Sequence, residues 1–214
     1  MQQDDIQRNR ERSGLDRLKR IAKATVMKLE LYHGDILDLQ ADVLICSANV
    51  SLNLSGGVGG ALLARFGAGL QEELHGHLPK QAPRFAKPGD VVVTRPGNTP
   101  YKAVLHAVAV DAFYDSNSQL ITETVRKALR LASREGARCV ALTALATGYG
   151  HLSIGQFAEG LRPLLKESFA PVQTVIVAVQ ADSVFSELVK SLPEGTVLES
   201  IHDSERVPRT NEHG

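Results

Sequence analysis

The residues best suited to chemistry in this chain are glycines. Gly56-Gly57-Val58-Gly59-Gly60 closes a loop that starts at Asn49 and passes through Asn53 and Ser55. Ala146-Thr147-Gly148-Tyr149-Gly150 makes a second loop. Each follows an apolar run, residues 42–46 and 139–145, and each precedes a helix-like run. Lacking a Cβ, glycine lets backbone N–H groups approach an anion closely. A helix N-terminus adds unpaired donors and a favourable dipole. Two such loops predict a ligand that carries two phosphates.

Neither loop has the signals of the common nucleotide motifs. No Gly-Lys-Ser/Thr follows residues 56–60, so a P-loop is excluded, and the spacing does not fit a dinucleotide fingerprint. Other reactive side chains are sparse. His151 directly follows the second loop and is a candidate acid–base group near neutral pH. His106 lies inside an apolar run and reads as a core residue. His33, His75 and His77 share no metal-ligand spacing, so no metal site is expected. Cys46 and Cys139 lie in strand-like runs and read as buried free thiols. Arg65, Lys102, Glu72 and Glu73 read as surface or helix-end charges.

The elements that must position the loops follow from the hydrophobic pattern. Residues 26–32 alternate as a strand. Residues 42–46, 90–94, 103–110, 139–145 and 172–179 are short apolar runs that read as buried strands. Residues 61–78, 120–135, 157–169 and 183–192 read as helices, the first interrupted near Gly67 and Gly69. Nearly continuous apolar strands alternating with helices require cover on both faces. The pattern predicts a three-layer α/β/α sandwich with a mixed, mostly parallel sheet. In such sheets ligands bind beyond the carboxyl ends of the strands, where both glycine loops fall.

The chain has 214 residues, 43% of them hydrophobic, which suits one domain with extensions. Residues 1–25 are dense in charge and are expected to form a helical or flexible extension; residues 203–214 form a polar tail. Lys+Arg and Asp+Glu both number 24, a balance that argues against general nucleic-acid binding. Aromatic residues make up only 5%, which gives little for stacking bases. No apolar run reaches the roughly 20 residues of a membrane span, and the charged N-terminus lacks a signal-peptide pattern. A cytoplasmic protein with no membrane partner is expected.

The quoted motifs occur in a particular order. Gly34-Asp35-Ile36 precedes Ala41-Asp42-Val43-Leu44-Ile45-Cys46-Ser47-Ala48-Asn49, then Leu52 and Gly56-Gly57-Val58-Gly59-Gly60-Ala61. Gly89-Asp90-Val91-Val92-Val93-Thr94, Tyr101-Lys102-Ala103-Val104-Leu105-His106 and residues 144–150 follow. In order and spacing this resembles the macro domain, a family that binds ADP-ribose. The resemblance covers roughly residues 26–192 and implies a macro domain over 26–202.

The resemblance also implies roles. Asp35 would accept a hydrogen bond from the adenine amino group, and Ile36 would pack beside the base. Asn49 would bond the distal ribose. Ser55, Gly56, Gly57 and Val58 would wrap the distal ribose and phosphates, and Thr147, Gly148, Tyr149 and Gly150 would close over the diphosphate. Phe185 would lie near the adenine. Two positions depart from the family. Cys46 stands where an asparagine is usual, and a thiol is a poor substitute for an amide. Gly59 stands where many family hydrolases carry an aspartate that activates water, work that glycine cannot do. The expected function is binding of ADP-ribose, free or attached to a macromolecule, with no cofactor. The alternative is a hydrolase with Asn49 as its catalytic residue, releasing ADP-ribose from proteins or nucleic acid or acting on ADP-ribose phosphate or O-acetyl esters. A nucleic-acid binder is the weakest of the three readings.

Overall fold

Strands that are apolar on both faces need a layer of helices above and below. The computed structural model, which describes residues 27–198, has that arrangement. In chain order the elements are β1 (Lys28–His33), β2 (Val43–Ala48), α1 (Gly57–Phe66), α2 (Gly69–Gly76), β3 (Val91–Thr94), β4 (Ala103–Val108), α3 (Ser118–Arg134), β5 (Cys139–Thr143), α4 (Ile154–Leu161), β6 (Thr174–Val179), α5 (Asp182–Ser191) and β7 (Thr196–Leu198). The expectations for residues 1–25 and 203–214 lie outside the described residues.

The sheet order is β3-β4-β2-β5-β6-β1-β7. Every neighbouring pair is parallel except β3 with β4, so the sheet is mixed and mostly parallel, as expected. Side chains alternate between faces along each strand. Val43 and Ile45 join one core with Ile121, Val125 and Leu129 of α3, Phe157 and Leu161 of α4 and Leu188 of α5. Leu44 and Cys46 join a second core with Leu62 of α1 and Leu70 and Leu74 of α2. No helix among the described residues is long and apolar enough to cross a membrane.

Local chemistry sets the element ends. Asn117 caps α3 by accepting from Leu120 N at 2.9 Å. Ser153 and Gln156 form a capping box that starts α4 at Ile154. The helix expected over 157–169 is therefore earlier and shorter: it ends at Leu161, and Pro163 sits in the first turn of a 3-10 segment, Arg162–Lys166. The helix expected over 61–78 breaks at Gly67, which takes φ +90, and begins earlier, inside the glycine run.

One buried polar chain crosses the second core. His106, in the middle of β4 and fully buried, bonds Thr94 Oγ1 through Nε2 at 3.0 Å, and its Nδ1 lies 3.5 Å from Cys46 Sγ. Burial, with a smaller push from His77, holds the imidazole pKa down at about 4, well below its ordinary 6.5. The folded protein therefore keeps His106 neutral while the unfolded chain takes up a proton. Stability from this group is full above about pH 6.5 and falls as pH drops toward 4, by up to about 3 kcal/mol. Urea titrations at pH 7 and pH 4.5 should show this loss in the wild type and a smaller one in His106→Gln. Equal losses in both would contradict the assignment.

Candidate functional site

β2 and β5 pair only from Val43–Val140 to Ile45–Leu142. Beyond that register their ends part, and Ser47 N turns to Thr143 Oγ1 at 3.2 Å. The helices that follow these two neighbouring strands lie on opposite faces, α1 in one core and α4 in the other. This is a topological switch point, where an open α/β sheet forms a crevice. The crevice here is a cavity of about 600 Å³.

The first loop forms one wall and is fastened by α2. Gln71 accepts from Leu54 N at 2.7 Å and donates to Leu52 O at 2.9 Å. His75 Nε2 lies 2.9 Å from Asn53 Oδ1. Asn49 Oδ1 accepts from Asn53 N at 3.2 Å. Gly56 takes φ +68, ψ 172 and ends the loop as the N-cap of α1 without a side-chain cap. The first intrahelical bond is Gly60 N to Gly56 O, at 2.8 Å. The N–H groups of Gly57, Val58 and Gly59 thus have no intrahelical acceptor, and all three residues line the cavity.

The second loop faces it. Thr147 Oγ1 donates to Ala144 O at 2.8 Å, and Leu152 N returns to Ala146 O at 3.2 Å. Ala146 takes φ +63, and a Cβ on Gly150 would run into the Ala146 carbonyl. This turn is too tight for any side chain at position 150. Tyr149, 72% exposed, reaches across to the first loop: its ring occupies the space where a Cβ on Gly56 would point. The two loops therefore meet at Gly56 and Tyr149.

Asp35 follows β1 and Asn49 follows β2. With β5 and β6 between those strands, the two residues stand three strand spacings apart, roughly 14 Å. Asp35 Oδ1 caps the 3-10 turn Ile36–Asp38 by accepting from Leu37 N at 2.9 Å. Its Oδ2 accepts from an Arg65 Nη at 3.0 Å, while the other Nη of Arg65 donates to Asp38 Oδ1 at 2.9 Å. Arg65 is thus the helix-end charge expected from its position, and it is paired with two carboxylates.

Of the residues singled out from the sequence, Asp35, Ile36, Asn49, Ser55, Gly56, Gly57, Val58, Thr147, Gly148, Tyr149 and Gly150 all line this one cavity. Phe185 does not. Its ring stacks on His33, with centroids 4.9 Å apart and an interplanar angle of 17°, and Val184 lines the cavity instead. Cys46 faces His106 in the core rather than the cavity, and burial pushes its thiol up to about 12. His151 is outside the lining and pairs with Asp115 at 2.9 Å. Asn53 and Tyr114 line the cavity and were not anticipated. Tyr114 sits at φ +65 in a turn held by Asp111, whose Oδ1 accepts from Phe113 N and Asp115 N. The Asp111–Asp115 spacing after β4 was a readable sign of that turn.

No lysine or arginine lines the cavity among the described residues. An anion bound there would be held by backbone N–H groups and the N-terminal dipole of α1.

Comparison with known proteins gives this geometry a family. The macro domain family model matches residues 45–160. A Citrobacter koseri protein named O-acetyl-ADP-ribose deacetylase is 39% identical over 127 residues, covering 58% of this chain and 71% of that protein. A macro domain-containing protein of Streptomyces griseus is 34% identical over 152 residues, covering 69% and 84%. Among solved structures, an Oceanobacillus iheyensis macrodomain with ADP superposes with a TM-score of 0.69 at 20% identity, over 80% of this chain and 93% of that one. A Trypanosoma brucei macrodomain in complex with ADP-ribose gives 0.65 at 21% identity, over 77% and 68%. With its three-layer fold and a family match over more than half its length, this chain belongs to the macro domain family.

Proposed function

We propose that this chain binds ADP-ribose, free or attached to a macromolecule, in the cavity between the two glycine loops. The observation that carries the reading is the spacing of polar groups along one cavity. A lone carboxylate, Asp35, and an amide, Asn49, stand roughly 14 Å apart. The uncapped first turn of α1 and the Thr147–Gly150 turn face that same cavity. Adenine, diphosphate and distal ribose need that sequence of an acceptor, N–H donors and an amide. Binding through backbone donors also suits a chain whose formal charge is zero.

Calorimetry with a ligand series tests this. ADP-ribose should bind at least about tenfold more tightly than AMP, because AMP lacks the second phosphate and the distal ribose. Asn49→Ala should weaken ADP-ribose by about the worth of one or two hydrogen bonds, on the order of tenfold, and leave AMP nearly unchanged. AMP binding as tightly as ADP-ribose would contradict the reading.

Hydrolysis of an ADP-ribose ester is the second reading, supported by the Citrobacter koseri relative named a deacetylase. Among the lining residues Asp35 is the sole carboxylate, and it stands at the far end from Asn49. With Gly59 at the family's carboxylate position, water near the distal ribose has no strong base, so turnover should be slow.

A further inference from the structure

We propose that Arg65 is a positioning residue that sets base selectivity by clamping Asp35; the proposal rests on the ADP-ribose reading above. Asp35 is held at both oxygens. Leu37 N donates to Oδ1 at 2.9 Å, and Arg65 donates to Oδ2 at 3.0 Å. Arg65 is itself anchored on Asp38 at 2.9 Å, so its guanidinium spans two carboxylates of one short turn. Asp35 lines the cavity and Arg65 does not. The clamp therefore fixes the carboxylate without occupying ligand space.

Each carboxylate oxygen accepts about two hydrogen bonds, so one bond to each leaves Asp35 able to accept from a ligand. A 6-amino purine offers such a donor. A 6-oxo purine turns a carbonyl toward the carboxylate instead. The penalty against the 6-oxo base requires that the carboxylate cannot swing away. Arg65 prevents that swing, and its arm is an element that the cavity itself already uses. It extends from the last turn of α1, the helix whose first turn carries the N–H groups of the glycine loop. One ten-residue helix, about 15 Å long, thus joins the anion end of the cavity to the base end. Its C-terminal dipole also favours a cation at position 65.

The test compares ADP-ribose with its hypoxanthine analogue, which replaces the 6-amino group by a 6-oxo group and carries a proton on N1, by calorimetry on the full chain. Wild type should favour ADP-ribose by more than about tenfold. Arg65→Ala should weaken ADP-ribose by about fivefold, the range for a half-exposed charged pair, and bind the 6-oxo analogue as well as or better than before. The selectivity ratio therefore falls. Arg65→Lys, which keeps the charge but concentrates its donors on one nitrogen that cannot span both carboxylates, should recover part of the ratio, and Asp38→Asn, which removes the charge at the far end of the clamp and weakens it, should lower the ratio less than Arg65→Ala. A variant that merely disturbed α1 would weaken both ligands together and keep the ratio. An unchanged ratio in Arg65→Ala, with wild type binding ADP-ribose, overturns the clamp alone. Failure of wild type to bind ADP-ribose at all overturns the binding reading and the clamp with it.

Discussion

Gly56→Ala is expected to weaken ADP-ribose binding by more than about tenfold while the chain stays folded. Two independent costs meet at this residue. At φ +68, ψ 172 the backbone occupies a region open essentially to glycine alone, so a side chain there costs of order 1–3 kcal/mol. The new Cβ would also sit 2.8 Å from Tyr149 Cε2 and closer still to the hydroxyl. Tyr149 is exposed and can swing out, but that relieves only the second cost and breaks the bridge between the loops. The loop then adopts another path, and the N–H groups of Gly57, Val58 and Gly59 no longer converge on the cavity. The core residues of α1 lie away from this cap, so thermal denaturation should shift by only a few degrees. In the double variant Gly56→Ala/Tyr149→Ala the clash is gone but the backbone strain persists, so affinity should stay low. Calorimetry showing wild-type affinity for Gly56→Ala would contradict the account of the first loop.

The opposite change at the third residue of α1 should add activity. Gly59→Asp is expected to raise hydrolysis of O-acetyl-ADP-ribose on the order of 100-fold, the lower end of what a positioned general base contributes. Gly59 lines the cavity and its φ is ordinary helical, so no backbone strain opposes a side chain. A Cβ there would stand 3.2 Å from Leu54 Cα and 3.5 Å from Leu54 C. The loop must shift by a few tenths of an ångström, which the exposed Ser55–Gly56 corner can absorb. A carboxylate in the first turn of a helix is also favoured by the dipole. Its charge faces the diphosphate, so affinity for ADP-ribose should fall even as release of acetate rises. No gain in acetate release, with the variant still binding ligand, would show that the missing carboxylate is not what limits turnover.

Much of this arrangement could be read from residue order. Apolar runs such as 103–108 have no polar face, which dictated a sheet covered on both sides, and the glycine runs at strand ends dictated where a ligand would bind. The failures have definite physical causes. Glycine's poor helix propensity hid the start of α1 at Gly57, because the cost is offset by tertiary packing of Leu62 and by the loop that α2 anchors. β7 is a three-residue edge strand with exposed residues and no burial pattern to betray it. Arg65 and Asp35 are thirty positions apart, and only the folding of α1 over the end of β1 brings them to 3.0 Å. Phe185 has the right chemistry for a base but finds His33 beside it, a pairing of the β1 end with α5 that local sequence does not encode.

The most direct test of the central claim is a crystal structure of the chain with ADP-ribose bound. The account predicts the adenine amino group within hydrogen-bonding distance of the Asp35 carboxylate, the diphosphate on the N–H groups of residues 57–59 and of the 147–150 turn, and a distal ribose hydroxyl on Asn49. A ligand bound outside this cavity, or with its adenine at Asn49 and its distal ribose at Asp35, would contradict it.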